Sequence, residues 1–212
     1  MNEMLFATSN LGKVRDVRNF FHANNSPYQI VSAVELQSKL SLKDPPDVEE
    51  TGSTYDENAL LKAQAFCEWA NGTPTFADDS GLEVLSLDAA PGLYSARYAA
   101  DECENGKCTF DDNINKLLRV MHGKTDRRAQ FVSVIAFVSA AGKKAFFRGV
   151  LEGEILTTRR GEGGFGYDPV FYIPEEQKTL AELKELEDYD ITTHRTRALS
   201  QFAEFVSTNF VS

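Results

Sequence analysis

Apolar residues recur with two different periods along the first part of the chain. Residues 4–8 and 28–32 are short apolar runs and predict strands. Between them, residues 11–23 place apolar side chains such as Val14 and Val17 at the spacing of a helix that buries one face. The alternation of strand, helix and strand indicates a sheet with helices packed against it.

A second helix is predicted after a polar loop at residues 43–53. Thr54 and Glu57 have the spacing of a capping box, in which each side chain accepts a hydrogen bond from the other residue's backbone N–H. The apolar face of this helix runs as far as Asn71 and Gly72, a pair typical of a helix end.

Residues 129–139 and 144–156 predict a long antiparallel pair of strands. The remaining predicted elements are a helix at 111–121, a glycine-rich loop at 161–166, a strand at 170–173 and a last helix that starts near Thr192 or Thr193. Because long hairpins are mixed with helices, the pattern predicts an α/β fold with a mixed sheet rather than a doubly wound parallel one.

Length and charge narrow the class of protein. The 212 residues suit one domain, or one domain with two lobes. A net charge of −10 argues against nucleic-acid binding. No apolar run approaches the roughly 18 residues of a membrane span, and no signal peptide is recognisable, so we expect a cytoplasmic protein. Cys103 and Cys108 could bridge, but that setting favours free thiols for them and for Cys67.

Residues 8–13, Thr-Ser-Asn-Leu-Gly-Lys, lie where the first predicted strand turns into a helix. Backbone N–H groups at such a turn favour an anion, although Ser9 or Asn10 could simply cap the helix. Lys13 and Arg15 oppose the helix dipole by about 0.3–1 kcal/mol each. A bound phosphate would turn that penalty into an attraction.

A similar group of basic residues, His-Arg-Thr-Arg at 194–197, opens the last predicted helix. These side chains could bind a second part of an anionic ligand. They could equally lie over neighbouring carboxylates such as Asp188 and Asp190 in weak exposed pairs.

Residues 78–81, Asp-Asp-Ser-Gly, follow a short strand predicted at 73–77 and precede another at 82–87. Two aspartates at a strand end often only form a turn. Carboxylates are also the ligands that Mg²⁺ prefers, and Glu49 and Glu50 lie in the loop ahead. One such carboxylate could accept a proton from an attacking water.

The glycine-rich segment at 161–169 contains an aromatic residue, Phe165, between glycines. Its ring could stack on a purine base while Asp168 accepts from a base N–H. The alternative is a turn in which Phe165 folds back into the core.

Seven segments, in their order along the chain, resemble the inosine triphosphate pyrophosphatase family, which removes noncanonical purine nucleoside triphosphates. The segments are residues 7–13, 49–52, 57–63, 77–82, 90–98, 163–169 and 194–195. The resemblance implies one domain over residues 1–212, with an elongated mixed sheet flanked by helices. It also implies two lobes, a central active-site cleft and a homodimer.

The resemblance implies Mg²⁺-dependent attack of water between the α and β phosphates of ITP, dITP or XTP, which yields the monophosphate and pyrophosphate. It gives Asp79 the roles of general base and, with Glu49, metal ligand. The implied substrate-binding residues are Thr8, Ser9, Asn10, Leu11, Gly12, Lys13, Lys62, Ser80, Arg97, Phe165, Gly166, Tyr167, Asp168, His194 and Arg195. Within this set, Lys13 and Lys62 would bind the phosphates, and His194 and Arg195 would contact the 6-oxo edge of the base.

Two positions depart from the family pattern. Thr193 stands where the family usually has Ser, and the family's substrate-binding Lys before the His-Arg pair is replaced by Tyr189 or Asp190. Lys184 is the nearest upstream lysine, so either it takes over that contact or the contact is lost. Two other functions remain open: a pyrophosphatase for pyrimidine or modified nucleotides, and a nucleotide sensor without catalysis.

Overall fold

The computed structural model describes residues 2–24, 26, 28–186 and 192–209. Within these residues, seven strands form one sheet in the order β2-β1-β3-β4-β5-β6-β7. The strands are β1 (Asn2–Phe6), β2 (Tyr28–Ser32), β3 (Thr75–Val84), β4 (Arg128–Val138), β5 (Lys144–Ile155), β6 (Phe171–Ile173) and β7 (Lys178–Thr179). The helices are α1 (Leu11–Ala23), α2 (Ala33–Leu40), α3 (Tyr55–Trp69), α4 (Phe110–Val120), α5 (Leu180–Lys184) and α6 (His194–Asn209).

The sheet is mixed, as the sequence predicts. β1 lies between β2 and β3 and is parallel to both, whereas β6 is antiparallel to β5 and to β7. β4 and β5 are adjacent and are joined by a tight turn, in which the Ser139 N–H donates to the Lys143 carbonyl at 2.9 Å. The predicted hairpin is therefore confirmed.

β3 differs from its prediction. It is one continuous ten-residue strand, so the turn predicted at residues 78–81 is wrong. The carboxylates of Asp78 and Asp79 are bound by residues of neighbouring helices, and the backbone stays in the sheet. The strand ends at Val84, and Leu85–Leu87, which was predicted to extend it, forms a short 3₁₀ helix.

The cysteines also differ from expectation. Cys103 and Cys108 form a disulfide with their Cα atoms 5.6 Å apart, so the expectation of free thiols is wrong for this pair. The two cysteines are five positions apart in the chain, and their Cα distance lies in the ordinary range for a bridge. Cys67 is a buried free thiol, as expected.

Two compact units divide the chain. The first comprises Met1–Asp79, Ser133–Gly149 and His194–Ser212, and the second comprises Ser80–Val132 and Val150–Thr193. That the two units are lobes of one domain with a cleft remains a prediction. None of the described helices is both long enough and apolar enough to cross a membrane.

In the first unit, side-chain alternation along β1 sends apolar residues to both faces of the sheet. Met4 and Phe6 pack with residues of α1 and α6, and Leu5 and Ala7 pack with residues of α3. The second unit has its own core, in which α4 and α5 pack on the outer strands. That core includes Leu82, Ile114, Leu117, Met121, Phe171 and Leu180.

Candidate active site

The two aspartates of β3 point to opposite faces of the sheet. Phe76, two residues before Asp78, packs among buried residues of α1 and α6, whereas Ala77, two residues before Asp79, packs among residues of α3. Because side chains alternate along a strand, Asp78 is directed toward α1 and α6 and Asp79 toward α3. Adjacent residues of one motif thus enter different surroundings.

Asp78 is a buried carboxylate that is bound by two cations. Lys13 Nζ donates to its two oxygens at 2.9 and 3.0 Å, and Arg195 Nε donates to Oδ2 at 3.1 Å. Burial by itself would raise the pKa of Asp78, but Lys13, Arg195 and Lys62 outweigh burial and hold the pKa well below its usual range. Asp78 therefore stays ionised and ties the first turns of α1 and α6 to β3, a role that the sequence left unassigned.

The first turn of α1 contains both the side chain that caps the helix and Lys13, the cation that pairs with Asp78. The Asn10 side chain accepts from the Lys13 N–H at 3.1 Å, and Thr8 Oγ1 accepts from the Asn10 N–H at 3.1 Å. The capping role considered for Asn10 is confirmed. Ser9 and Gly12 are exposed in the same turn. Lys13, the basic residue that opposes the helix dipole, is balanced by Asp78 from the neighbouring strand.

The start of α6 is also explained by Asp78. Asp188 and Asp190, the carboxylates considered as partners for its basic residues, lie outside the described residues. Arg195 is paired with Asp78. His194 is buried in the first turn. A Cβ atom on Gly149 of β5 would collide with the carbonyl oxygen of His194, so glycine at that position allows the helix to approach the sheet closely.

On the opposite face of the sheet, Lys62 of α3 is surrounded by acceptors. Its Nζ lies 2.7 Å from Glu50 Oε1, 2.8 Å from the Asp78 carbonyl oxygen and 3.6 Å from Asp79 Oδ1. Burial lowers the pKa of Lys62, but Asp79 and Glu50 raise it by more. Burial is also the largest influence on Asp79 and raises its pKa despite the attraction of Lys62, with Glu50 adding to the rise.

The loop that carries Glu49 and Glu50 is fixed to the start of α3. The Gly52 N–H donates to Asn58 Oδ1 at 2.8 Å, and Asn58 is buried and also hydrogen-bonds Asp79. A Cβ on Gly52 would lie 2.7 Å from that Asn58 oxygen, so only glycine fits there without displacement. The sequence named Glu50 beside Glu49 as a candidate carboxylate but did not assign a role to Asn58, because only the tertiary fold brings the loop to β3.

The capping box predicted at the start of α3 is present only in part. Thr54 accepts from the Glu57 N–H at 3.1 Å, as predicted, but the Glu57 carboxylate accepts from the N–H and hydroxyl of Ser53. The Glu57 side chain therefore binds Ser53, one residue before the predicted partner Thr54, and fixes the end of the acidic loop at residues 43–53 to the helix.

The residues around Lys62 fit a magnesium ion. No group of three or more His, Cys, Asp or Glu side chains arranged for a metal occurs in the described parts of the chain. Mg²⁺, however, usually keeps several waters and takes one or two carboxylates plus substrate phosphates. Glu50 and Asp79 supply two such carboxylates beside one ammonium group. Glu49 is exposed in the same loop, and its role as a metal ligand remains a prediction.

In the second unit, the segment around Phe165 presents an exposed aromatic ring. Phe165 is 48% exposed, so the alternative in which it folds into the core is wrong. Its ring lies beside that of Phe110, with centroids 6.2 Å apart, and Lys184 Nζ lies 5.2 Å from its centroid. Asp168 is buried, and its Oδ2 accepts from the Phe165 N–H at 2.8 Å and from Lys184 at 2.7 Å.

The remaining predicted residues of the second unit have different surroundings. Tyr167 is buried, its hydroxyl donates to the Ser95 carbonyl at 2.9 Å, and burial raises the pKa of this phenol. Gly166 has a positive φ of 62° and so forms the turn before Tyr167. Ser80 is half-buried, and Arg97 is exposed with its guanidinium 5.3 Å from the Tyr94 ring.

A cavity of about 690 Å³ opens in the first unit beside the cations. Its lining includes Thr8, Asn10, Lys13, Glu50 and Lys62. Cations and helix N–H groups suit phosphate oxygens, and carboxylates suit a hard metal ion. The fold and these side chains define an α/β protein whose cavity is lined by groups that suit a phosphorylated ligand and a divalent cation.

Comparison with known proteins gives the family. The Ham1 family model matches residues 4–205, so the chain belongs to the Ham1 family. A Staphylococcus aureus (strain MW2) protein named dITP/XTP pyrophosphatase is 41% identical over 206 residues, which cover 97% of each chain.

Two solved structures are also similar. The Staphylococcus aureus Ham1 protein is 41% identical with a TM-score of 0.80, covering 97% of this chain and 98% of its own. A HAM1 protein from Coxiella burnetii is 35% identical with a TM-score of 0.84, covering 98% of this chain and 100% of its own. These neighbours confirm the family that the sequence motifs indicated and the mixed α/β sheet.

Proposed function

We propose that this chain hydrolyses the noncanonical purine nucleoside triphosphates ITP, dITP and XTP to the monophosphate and pyrophosphate, with Mg²⁺ as cofactor. Its relatives in the Ham1 family are named for dITP and XTP, and the chain is an enzyme of this hydrolase class. The observation that carries the proposal is the position of Lys62 between Glu50 and Asp79, with Lys13 beside Asp78. This cluster places cations that could bind phosphate beside carboxylates that could bind a metal ion.

The phosphate chain would bind at the cationic part of the first unit. Lys13, Lys62 and the N–H groups at the start of α1 would supply positive field to the phosphoryl oxygens. Asp79 and the loop that carries Glu49 and Glu50 would hold Mg²⁺, which offsets the negative charge of the phosphates when it is bound. Asp79 would orient a water molecule and accept its proton as that water attacks the α phosphorus.

Recognition of the base would use the exposed ring of Phe165. A purine can stack on an aromatic face, and Asp168 and Lys184 hold that ring's segment in place through the buried ion pair. His194 and Arg195 would donate to the 6-oxo group. The bond from Arg195 Nε to Asp78 fixes the position of this guanidinium. Adenine presents a donor at that position, so ATP would be disfavoured.

A pyrophosphate-release assay across ITP, dITP, XTP, GTP, ATP and dUTP, with and without Mg²⁺, tests the proposal. We expect ITP, dITP and XTP to be cleaved fastest, and only with Mg²⁺. Binding of ITP without pyrophosphate release would instead indicate a sensor, and preference for dUTP a different nucleotide class. The cytoplasmic location expected from the apolar pattern and the homodimer implied by the family resemblance belong to the same proposal.

Replacing Asp79 with Asn gives the sharpest single-residue test. The change removes the proton acceptor and a metal ligand, so we expect turnover of ITP to fall by about 100- to 10 000-fold. Because burial disfavours the charged form of Asp79, the neutral amide should fold as well as the wild type. A variant with near-normal turnover would contradict the assignment.

A further inference from the structure

The cavity of the first unit extends beyond the residues that suit phosphate. β2, β1 and β3 are neighbours and run parallel, so their carboxyl ends meet at one edge of the sheet. The cavity follows this edge from Asp78 on β3 to Ser32 and Val34 after β2. Two strand spacings separate those ends, or about 10 Å.

The end of the cavity over β2, which we call the β2 end, is mostly apolar. Its apolar lining includes Val34, Pro45, Pro46, Val48 and Phe66, and its polar residues are Ser32 and Asp47. Val34 is 62% exposed, an unusual degree for a valine. These side chains offer a surface for an uncharged group.

The β2 end is poorly suited to a further phosphate. The cations in the cavity lining are Lys13 and Lys62, and both belong to the other end. At the start of α2, the N–H and hydroxyl of Ser32 donate to Glu35 at 2.8 and 2.9 Å, so an internal carboxylate already occupies this helix end. Asp47, also in the lining, would repel an anion.

The cavity is also larger than a pyrophosphate group needs. At about 690 Å³ it lies within the range of about 300–1,000 Å³ that is typical of sites for drug-sized ligands. A pyrophosphate bound at Lys13 and Lys62 would leave the apolar part of the cavity to be filled by some other group.

We propose that the β2 end receives an aromatic or other apolar ester group on the terminal phosphate, so that the enzyme also cleaves nucleoside triphosphates esterified at that position. This inference rests on the proposed function. Water attacks the α phosphorus, the bond from that phosphorus to the oxygen bridging the α and β phosphates breaks, and the electron pair leaves with the esterified pyrophosphate. The proton of the attacking water is released, and the products are the nucleoside monophosphate and a pyrophosphate monoester.

The β2 end suits such a group better than it suits the substrate's own base. Reading a 6-oxo edge requires hydrogen-bond donors, and the Ser32 hydroxyl there is already committed to Glu35. Pro45, Pro46 and Val48 present no side-chain donor at all. An apolar surface without donors accepts an aromatic ring without distinguishing one purine from another.

The probe is ITP that carries a phenyl ester on its γ phosphate, compared with ITP under the same Mg²⁺ conditions. We expect wild-type enzyme to cleave it to IMP and phenyl pyrophosphate, with kcat/KM within about threefold of that for ITP, since the ring replaces water at an apolar surface. Products are identified by chromatography and phosphorus NMR.

Val34→Asp tests the location. The new carboxylate would face the phenyl ring, and an acidic residue in the first turn of α2 favours the helix, so folding should be retained. We expect the ratio of kcat/KM for the ester to that for ITP to fall about tenfold. Ser38→Asp adds the same charge one turn later in α2, at a residue that does not line the cavity, and should leave the ratio unchanged.

Three outcomes would overturn the inference. If the enzyme cleaves ITP but not the phenyl ester, the cavity does not accept terminal substituents, and the proposed function would stand. An equal loss on both substrates in Val34→Asp would place the base, rather than the ester, at the β2 end. If ITP itself is not cleaved, the proposed function fails, and the inference fails with it.

Discussion

Asp78→Asn should destabilise the protein, because Asp78 balances two cations inside the first unit. Asn keeps the size of the side chain but removes its charge. The Asp78 side chain is only 4% exposed, while those of Lys13 and Arg195 are 22% and 16% exposed. The substitution would leave both cations close together without their shared anion.

The size of the effect follows from this burial. Removing one partner of a buried ion pair costs about 3–5 kcal/mol. Because water still reaches parts of Lys13 and Arg195, we expect the lower end of that range, about 3 kcal/mol. For a chain of this length, that corresponds to a melting temperature about 6–12 °C below that of the wild type.

Thermal melts followed by circular dichroism measure the difference. Asp101→Asn is the matched control, since the Asp101 side chain is 70% exposed and its partner, Lys116, keeps a second carboxylate, that of Glu102, at 3.7 Å. Exposed pairs contribute little, so the control should melt within about 1 °C of the wild type. If Asp78→Asn melts no lower than Asp101→Asn, Asp78 does not hold α1 and α6 to the sheet and the reasoning is refuted.

Two further substitutions test other parts of the site. Phe165→Ala should raise KM for ITP about tenfold with little change in melting temperature, because base stacking contributes about 1–3 kcal/mol and the ring is half exposed; an unchanged KM would argue against stacking. Gly52→Ala should place a Cβ atom 2.6 Å from the Glu57 Cβ, displace the acidic loop, lower stability by about 1–3 kcal/mol and slow turnover. Wild-type kinetics in this variant, measured by pyrophosphate release, would show that the position of the Glu50 loop does not matter.

The sequence predicts the longer elements well, because their apolar periods are strong. The bounds of α1 (Leu11–Ala23) and β2 match their predictions at both ends. The shorter helices α2 and α5 were missed, although each begins with a capping box that the sequence shows, Ser32 with Glu35 and Thr179 with Glu182. A short helix has too few residues for a periodic signal, so its cap is the better indicator.

The turn predicted at residues 78–81 shows why local propensity fails at the site. Asp and Gly favour turns when their side chains must find partners locally. In this fold Lys13 and Arg195 bind Asp78 from helices that are distant in sequence. The role of Asn58 could not be predicted for the same reason, and the sequence named both Glu49 and Glu50 without showing that Glu50 is the one that contacts Lys62.

Once residues 78–81 are known to be extended, the different roles of the two aspartates follow from strand geometry. Adjacent residues of a strand point to opposite faces, so the carboxylates of Asp78 and Asp79 have different hydrogen-bond partners. Lys62 nevertheless reaches both residues, because it binds the Asp78 carbonyl oxygen at 2.8 Å and lies 3.6 Å from the Asp79 carboxylate. One peptide unit therefore links the ion pairs on one face to the proposed metal ligands on the other. The position of Lys62 beside Asp79 depends on a backbone that the Asp78 ion pairs hold from the opposite side of the sheet.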